Sequence, residues 1–247
     1  MLLFRYSNVK LQAVAEFIDS ERAVYEDEHD NLVAFALKCT FKRYRFARRL
    51  RELADPLIEK HIHEMSRMIG GGRSGPMSAS DLQAFAESTA RSSEIQMFFE
   101  TFFMHGSILC DEIAHLLLYF YGEQRGLKMN GHRTLLKNFP AYAKAKSLIH
   151  TAELITRAEF LERELCDFRD KQIVHDFNPR KTRSLCFNAS TKDIGLSAGF
   201  LYPKPTDTYV TSKGWRELSG TLDEYVWSVL DLIRANRTVC RFSARQS

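Results

Sequence analysis

An arginine, an acidic neighbour and a histidine lie close together in Arg169-Asp170-Lys171-Gln172-Ile173-Val174-His175. The guanidinium of an arginine is permanently charged and presents a planar fork that fits a phosphate. Imidazole is the side chain whose ordinary titration falls near neutral pH. Together the two suit cleavage of a phosphodiester. Phe168 on one side and Ile173, Val174 and Phe177 on the other are apolar, so the polar groups are expected to project from a packed helix end. Asp176 reads as a local hydrogen-bonding residue rather than a metal ligand.

On a straight helix the six-residue step from Arg169 to His175 is about 600° of rotation and about 9 Å of rise, so the two do not share a face. They converge where the helix distorts or ends, or where two copies of the motif meet across a dimer axis. Asn178-Pro179 stops the helix, because the proline ring disfavours helical geometry in the residue before it. A plainer reading is a helix C-terminus whose cations complement the helix dipole.

Arg169, a polar Asp170, a short spacer and His175 resemble the signature of the HEPN superfamily. Many of its members are metal-independent endoribonucleases that act as dimers in toxin–antitoxin, phage-defence and RNA-processing systems. Others have lost catalysis and only bind. The resemblance implies that Arg169 holds the scissile phosphate and that His175 acts as base on the ribose 2′-hydroxyl or as acid on the leaving group. Asp170 would orient one of them. It also implies RNA as substrate, a homodimer with a shared cleft, an antitoxin protein as partner, and no metal or cofactor. The leading alternative is a non-catalytic helical module that binds RNA or protein.

Two groups of basic residues are candidate substrate contacts. Lys171, Arg180, Lys181 and Arg183 lie next to the motif. Lys38, Lys42, Arg45 and Arg49 fall on one helical stripe of a basic run interleaved with Phe41, Tyr44 and Phe46, able to follow a phosphate backbone or to face solvent. A competing chemistry comes from Glu26 with His29 and Glu112 with His115. Each pair places a carboxylate and an imidazole on one helix face, as di-iron bundles do. Such a site also needs inward glutamates from other helices, for which Glu59 and Glu159 are the candidates. His61 and His63 read as surface residues.

The elements that must position these groups are mostly helical. Leu11, Val14, Phe17 and Ile18, then Val24, Leu32, Phe35 and Ala36, recur at helical spacing, which predicts a first helix over roughly 7–36, broken near Asp30-Asn31. A second is expected over 38–69, kinked or restarted at Pro56. The glycine-rich stretch 70–79 reads as a flexible connection. Ser80 and Gln83 have capping-box spacing ahead of a third helix reaching Tyr121. Asn138-Phe139-Pro140 looks like the next helix start. Leu154, Ala158, Leu161, Leu165 and Phe168 alternate four and three apart, a seam for helix-on-helix packing in the motif-bearing helix. Residues 182–212 carry short β-forming runs, read as a small hairpin or irregular insertion. Thr221 and Glu224 suggest a second capping box opening the last helix, and Arg241 to Ser247 a frayed end. The expected fold is all-α, one domain over 1–247: a bundle of four or five long helices with a β insertion before the last.

With 45% hydrophobic and 27% charged residues, composition excludes a disordered or fibrous chain. The longest apolar run, 113–121, is interrupted by His115 and falls short of the ~20 residues of a membrane helix. No signal-peptide pattern opens the sequence, so a cytoplasmic protein is expected. Five scattered cysteines show no Cys-x-x-Cys pairing and read as reduced packing residues. A net charge of +4 favours an anionic partner only weakly.

Overall fold

The computed structural model describes residues 2–25, 27–70, 78–170, 181–188, 192–200 and 207–242. Its helices are α1 (Leu2–Arg22), α2 (Asp27–Gly70), α3 (Ala79–Tyr121), α4 (His132–Ala145), α5 (Ala152–Leu161) and α6 (Ser212–Ala235). A π-helical segment, Glu162–Cys166, continues α5, and strands β1 (Lys181–Asn188), β2 (Asp193–Phe200) and β3 (Asp207–Thr211) precede α6. The class is the expected one, an all-α helical bundle with a small β insertion before the last helix. Among the described residues no helix is long and apolar enough to cross a membrane.

Several boundaries differ from those expected, each for a physical reason. The first break falls between Arg22 and Asp27 rather than at Asp30-Asn31. There Glu21 is fully buried against Arg237, and the Tyr25 ring packs on Phe120 at 6.2 Å and Phe242 at 6.1 Å. α2 runs through Pro56 without restarting. The capping box of α3 is formed by Ser78 and Asp81, not Ser80 and Gln83. The Asp81 amide donates to Ser78 Oγ at 3.2 Å, and the Ser78 amide donates to Asp81 Oδ2 at 3.1 Å. Gln83 instead donates to Glu87 one turn on.

α4 begins at His132, with Asn138-Phe139-Pro140 inside it, because Asp111 on α3 accepts the His132 amide at 2.8 Å and so serves an orphan donor of that helix start. α6 starts at Ser212, well before Thr221. Glu224 of the expected box instead accepts from Arg157 Nε at 3.1 Å, and Asp223 beside it accepts the Tyr44 hydroxyl at 2.8 Å. The β insertion is a three-stranded antiparallel meander in the order β1-β2-β3, with a bulge between Leu196 and Ser197. Residues 71–77 of the expected flexible connection and 243–247 of the expected frayed end lie outside the described residues. Arg241 and Phe242 are packed: Phe242 is buried, and the Arg241 guanidinium lies 5.0 Å from the Tyr119 ring.

Contacts group the chain into two compact units. One comprises Met1–Phe46, His105–Leu165 and Thr221–Ser247; the other Ala47–Met104 and Cys166–Gly220. In the first, Val14, Phe17, Leu37, Leu109, Ile113 and Val229 are among the buried apolar residues. Gly106 allows α3 to approach Leu165 closely, since a Cβ there would stand 3.1 Å from its side-chain carbons. In the second unit Trp215 is fully buried between Phe99 and Phe102, with both ring centroids 4.5 Å away. Its indole N–H donates to Asp55 at 3.0 Å, so the polar handle of a buried tryptophan finds an acceptor.

Candidate functional site

The segment that carries the motif is held by its apolar seam. Leu154, Ala158, Leu161 and Leu165 are buried in the first unit and Phe168 in the second. Phe168 stacks on Phe103 of the same unit with centroids 4.3 Å apart. The helix does not stay regular along this stretch. Glu162–Cys166 is π-helical, and Arg169 and Asp170 again lie in π-helical backbone. Such turns are rare and concentrate where a chain does something other than pack.

Arg169 and Asp170 are brought together. The Arg169 Nε–H donates to Asp170 Oδ1 at 2.8 Å, and Nη2 lies 2.7 Å from the same oxygen. Their side chains are only 20% and 30% exposed, so this charge-assisted contact is partly shielded from solvent. Neighbours one residue apart do not face each other on a regular α-helix, and the pair forms where the backbone leaves that geometry. His175, Lys171 and Arg180 lie outside the described residues. Lys181 and Arg183 are on β1, in register with Phe200 and Ala198 of β2.

The basic run on α2 is sorted by the structure. Lys38, Lys42, Arg45 and Arg49 are all exposed. Arg49 pairs with Glu52 at 3.3 Å, Arg51 with Asp55 at 3.5 Å, and Arg43 Nε with Glu112 at 3.1 Å. That last contact bears on the di-iron chemistry, since it commits a Glu112 oxygen to a guanidinium. Burial pushes the Glu112 carboxyl up, with Arg43 acting in the opposite sense. Glu59 pairs with Arg216 at 3.3 Å, Glu159 and His115 are exposed, and Glu26 lies outside the described residues.

His61 is buried, contrary to the surface position expected for it. Its Nδ1 lies 3.3 Å from the Ser88 hydroxyl, beside the Arg91–Glu64 ion pair, whereas His63 is exposed as expected. Desolvation, followed by the Arg91 charge, lowers the pKa of His61. Sequence reasoning also missed His132, buried with Nδ1 2.9 Å from Glu162 Oε2, while Arg133 Nε donates to Glu162 Oε1 at 2.8 Å. Cys110 and His132 offer donor atoms within 4.8 Å of one another, two of the donor types a zinc ion takes. The available signal for Phe103 was the Phe98-Phe99-Phe102-Phe103 spacing, which marks one apolar face of α3.

Comparison of the chain with protein-family models, with curated proteins and with solved structures finds no match.

Proposed function

We propose that the chain is a metal-independent endoribonuclease of HEPN type, acting as a homodimer on RNA in a cytoplasmic toxin–antitoxin or phage-defence setting, with an antitoxin protein as partner. One observation carries the reading: Arg169 and Asp170 are ion-paired where the helix departs from α geometry, and His175 follows five residues after Asp170 in the sequence. The all-α fold and the buried seam behind the motif agree with it.

In this reading a base takes the proton of a ribose 2′-hydroxyl, and the 2′-oxygen attacks phosphorus. The bond to the 5′-oxygen breaks, and that oxygen leaves with a proton. The products are a 2′,3′-cyclic phosphate and a 5′-hydroxyl. His175 serves as the base or as the acid. Arg169 stabilises charge on the phosphoryl oxygens, held in orientation by Asp170. Lys171, Arg180, Lys181 and Arg183 contact the strand on either side.

The test is incubation with RNA in chelator, comparing the intact chain with His175→Ala. Cleavage is expected to survive chelator and leave the cyclic phosphate, and the variant to be slower by about 10²–10⁴-fold, the range of a general acid–base group. Activity abolished by chelator and restored by a divalent ion refutes the mechanism. RNA bound but left uncut identifies the non-catalytic module.

A further inference from the structure

Within the first unit, the α2 run separates into committed and uncommitted cations. Arg43 is spent on Glu112. Among the described residues Lys38, Lys42 and Arg45 have no carboxylate at bridging distance, and all three are exposed. They succeed each other at steps of four and three along one helix face, rises of about 6 and 4.5 Å. Phe46 adjoins this track. Its spacing puts it on one helical stripe with Leu50, Leu53 and Leu57, and the ring is 39% exposed. One side rests on the His105 imidazole, centroids 5.3 Å apart. Burial and then the charge of Arg43 lower the His105 pKa, so near neutral pH it supports the ring without adding a charge. The Lys42 ammonium stands 5.9 Å from the ring centroid, at the outer limit of a cation–π contact. The ring is therefore reachable from solvent, with an exposed cation beside it.

Uncommitted cations in a row next to a half-exposed aromatic ring are the two components that single-stranded nucleic acids recognise. The cations follow the backbone, and the ring takes the face of a base. We propose that Lys38, Lys42, Arg45 and Phe46 form a binding track for single-stranded nucleic acid, with Phe46 as the stacking platform and Lys42 moving from the ring to a phosphate when a base arrives. Duplex is disfavoured because its bases are already stacked. The track does not rest on the nuclease reading, since neither Arg169 nor His175 belongs to it.

The test is fluorescence anisotropy of the full chain with labelled strands of about 12 nucleotides, within the range of sites for such platforms. The strands are RNA, DNA, DNA lacking bases, and duplex DNA. DNA has no 2′-hydroxyl, so a failure of the proposed cleavage chemistry leaves its binding readable. Single strands should bind more tightly than duplex. Phe46→Leu should weaken single-strand binding about 5- to 100-fold, the loss of one stacked base, with Phe46→Tyr retaining it. The baseless strand should be indifferent to Phe46→Leu. Replacing Lys38, Lys42 and Arg45 together by Gln should reduce the slope of log affinity against log salt by about 2, at about 0.7 per phosphate contact. Unchanged affinity in Phe46→Leu, or equal binding of duplex and single strand, overturns the stacking platform. An unchanged salt slope in the triple variant overturns the track, as does a preference of RNA or DNA binding for a different surface.

Discussion

Phe168→Ala tests whether packing behind the motif sets the position of Arg169. The ring is 6% exposed and stacks on Phe103 at 4.3 Å, so truncation removes buried contacts and leaves a cavity. Losses of this kind cost about 3–5 kcal/mol, of which the ring pair itself accounts for about 0.5–1.5 kcal/mol. In a chain of this size each kcal/mol lowers Tm by about 2–4 °C, which gives a drop of roughly 6–20 °C. Phe168→Leu keeps most of the apolar volume and should cost about 1–2 kcal/mol. Arg169 is the next residue, and in the proposed mechanism a displacement of about 1 Å at this group costs about 100-fold in rate. Urea midpoints for Phe168→Ala, Phe103→Leu and the double variant give the coupling between the rings, and RNA cleavage well below the melting range gives the positional effect. A strictly additive cycle would refute the stacking energy. Undiminished cleavage by a destabilised Phe168→Ala protein would show that the seam holds the fold without placing Arg169.

The proposed composite cleft and the Glu162 contact make two further demands. If two motifs share one cleft, mixing Arg169→Ala subunits with His175→Ala subunits should change activity in a way neither mutant homodimer shows; a monomer that cleaves RNA at micromolar concentration rules the shared cleft out. Burial pushes the Glu162 carboxyl up, but hydrogen bonds from His132 and Arg133, with their charge, leave it below its usual 4.5. Its folded form therefore binds a proton more weakly than its unfolded form. The contribution to stability is complete above about pH 5 and is lost as pH falls through 4.5 toward the folded value. Urea midpoints between about pH 6 and 3 should fall more steeply for the intact chain than for Glu162→Gln, and parallel slopes would refute the contact's role.

How legible the fold was depended on whether the cause was local. The seam from Leu154 to Phe168 was readable because helical spacing and burial coincide at each position. The first break was misplaced because Asp27, Glu28 and Asp30 are first-turn residues, where acidic groups favour a helix start, while the force that ends α1 comes from Arg237, 216 residues after Glu21. The start of α4 was hidden for the same reason, its amide being served by Asp111 on another helix. α6 was different: Trp215, Leu218, Leu222, Tyr225 and Val229 carry the helical period, yet the capping-box spacing at Thr221 drew the boundary past them. At the motif, Arg169 and Asp170 were recognisable by type. The π-helical backbone that lets adjacent side chains pair leaves no mark in residue spacing.

The first unit is assembled from three stretches of chain, and the last of them begins at Thr221. A ribosome adding about 5–20 residues per second leaves Phe46 and Thr221, about 175 residues apart, separated by about 9–35 s of synthesis. Through that interval Val14, Phe17 and Ile18 lack α6, and Glu21 has no Arg237 to offset its burial. α1 and the start of α2 therefore wait for the last stretch of the first unit before their packing is complete. Val14 and Ile18 meet Leu109 and Leu116 of α3 as well as Val226 and Leu230 of α6, so a chain that ends before Thr221 keeps one side of that packing and lacks the other.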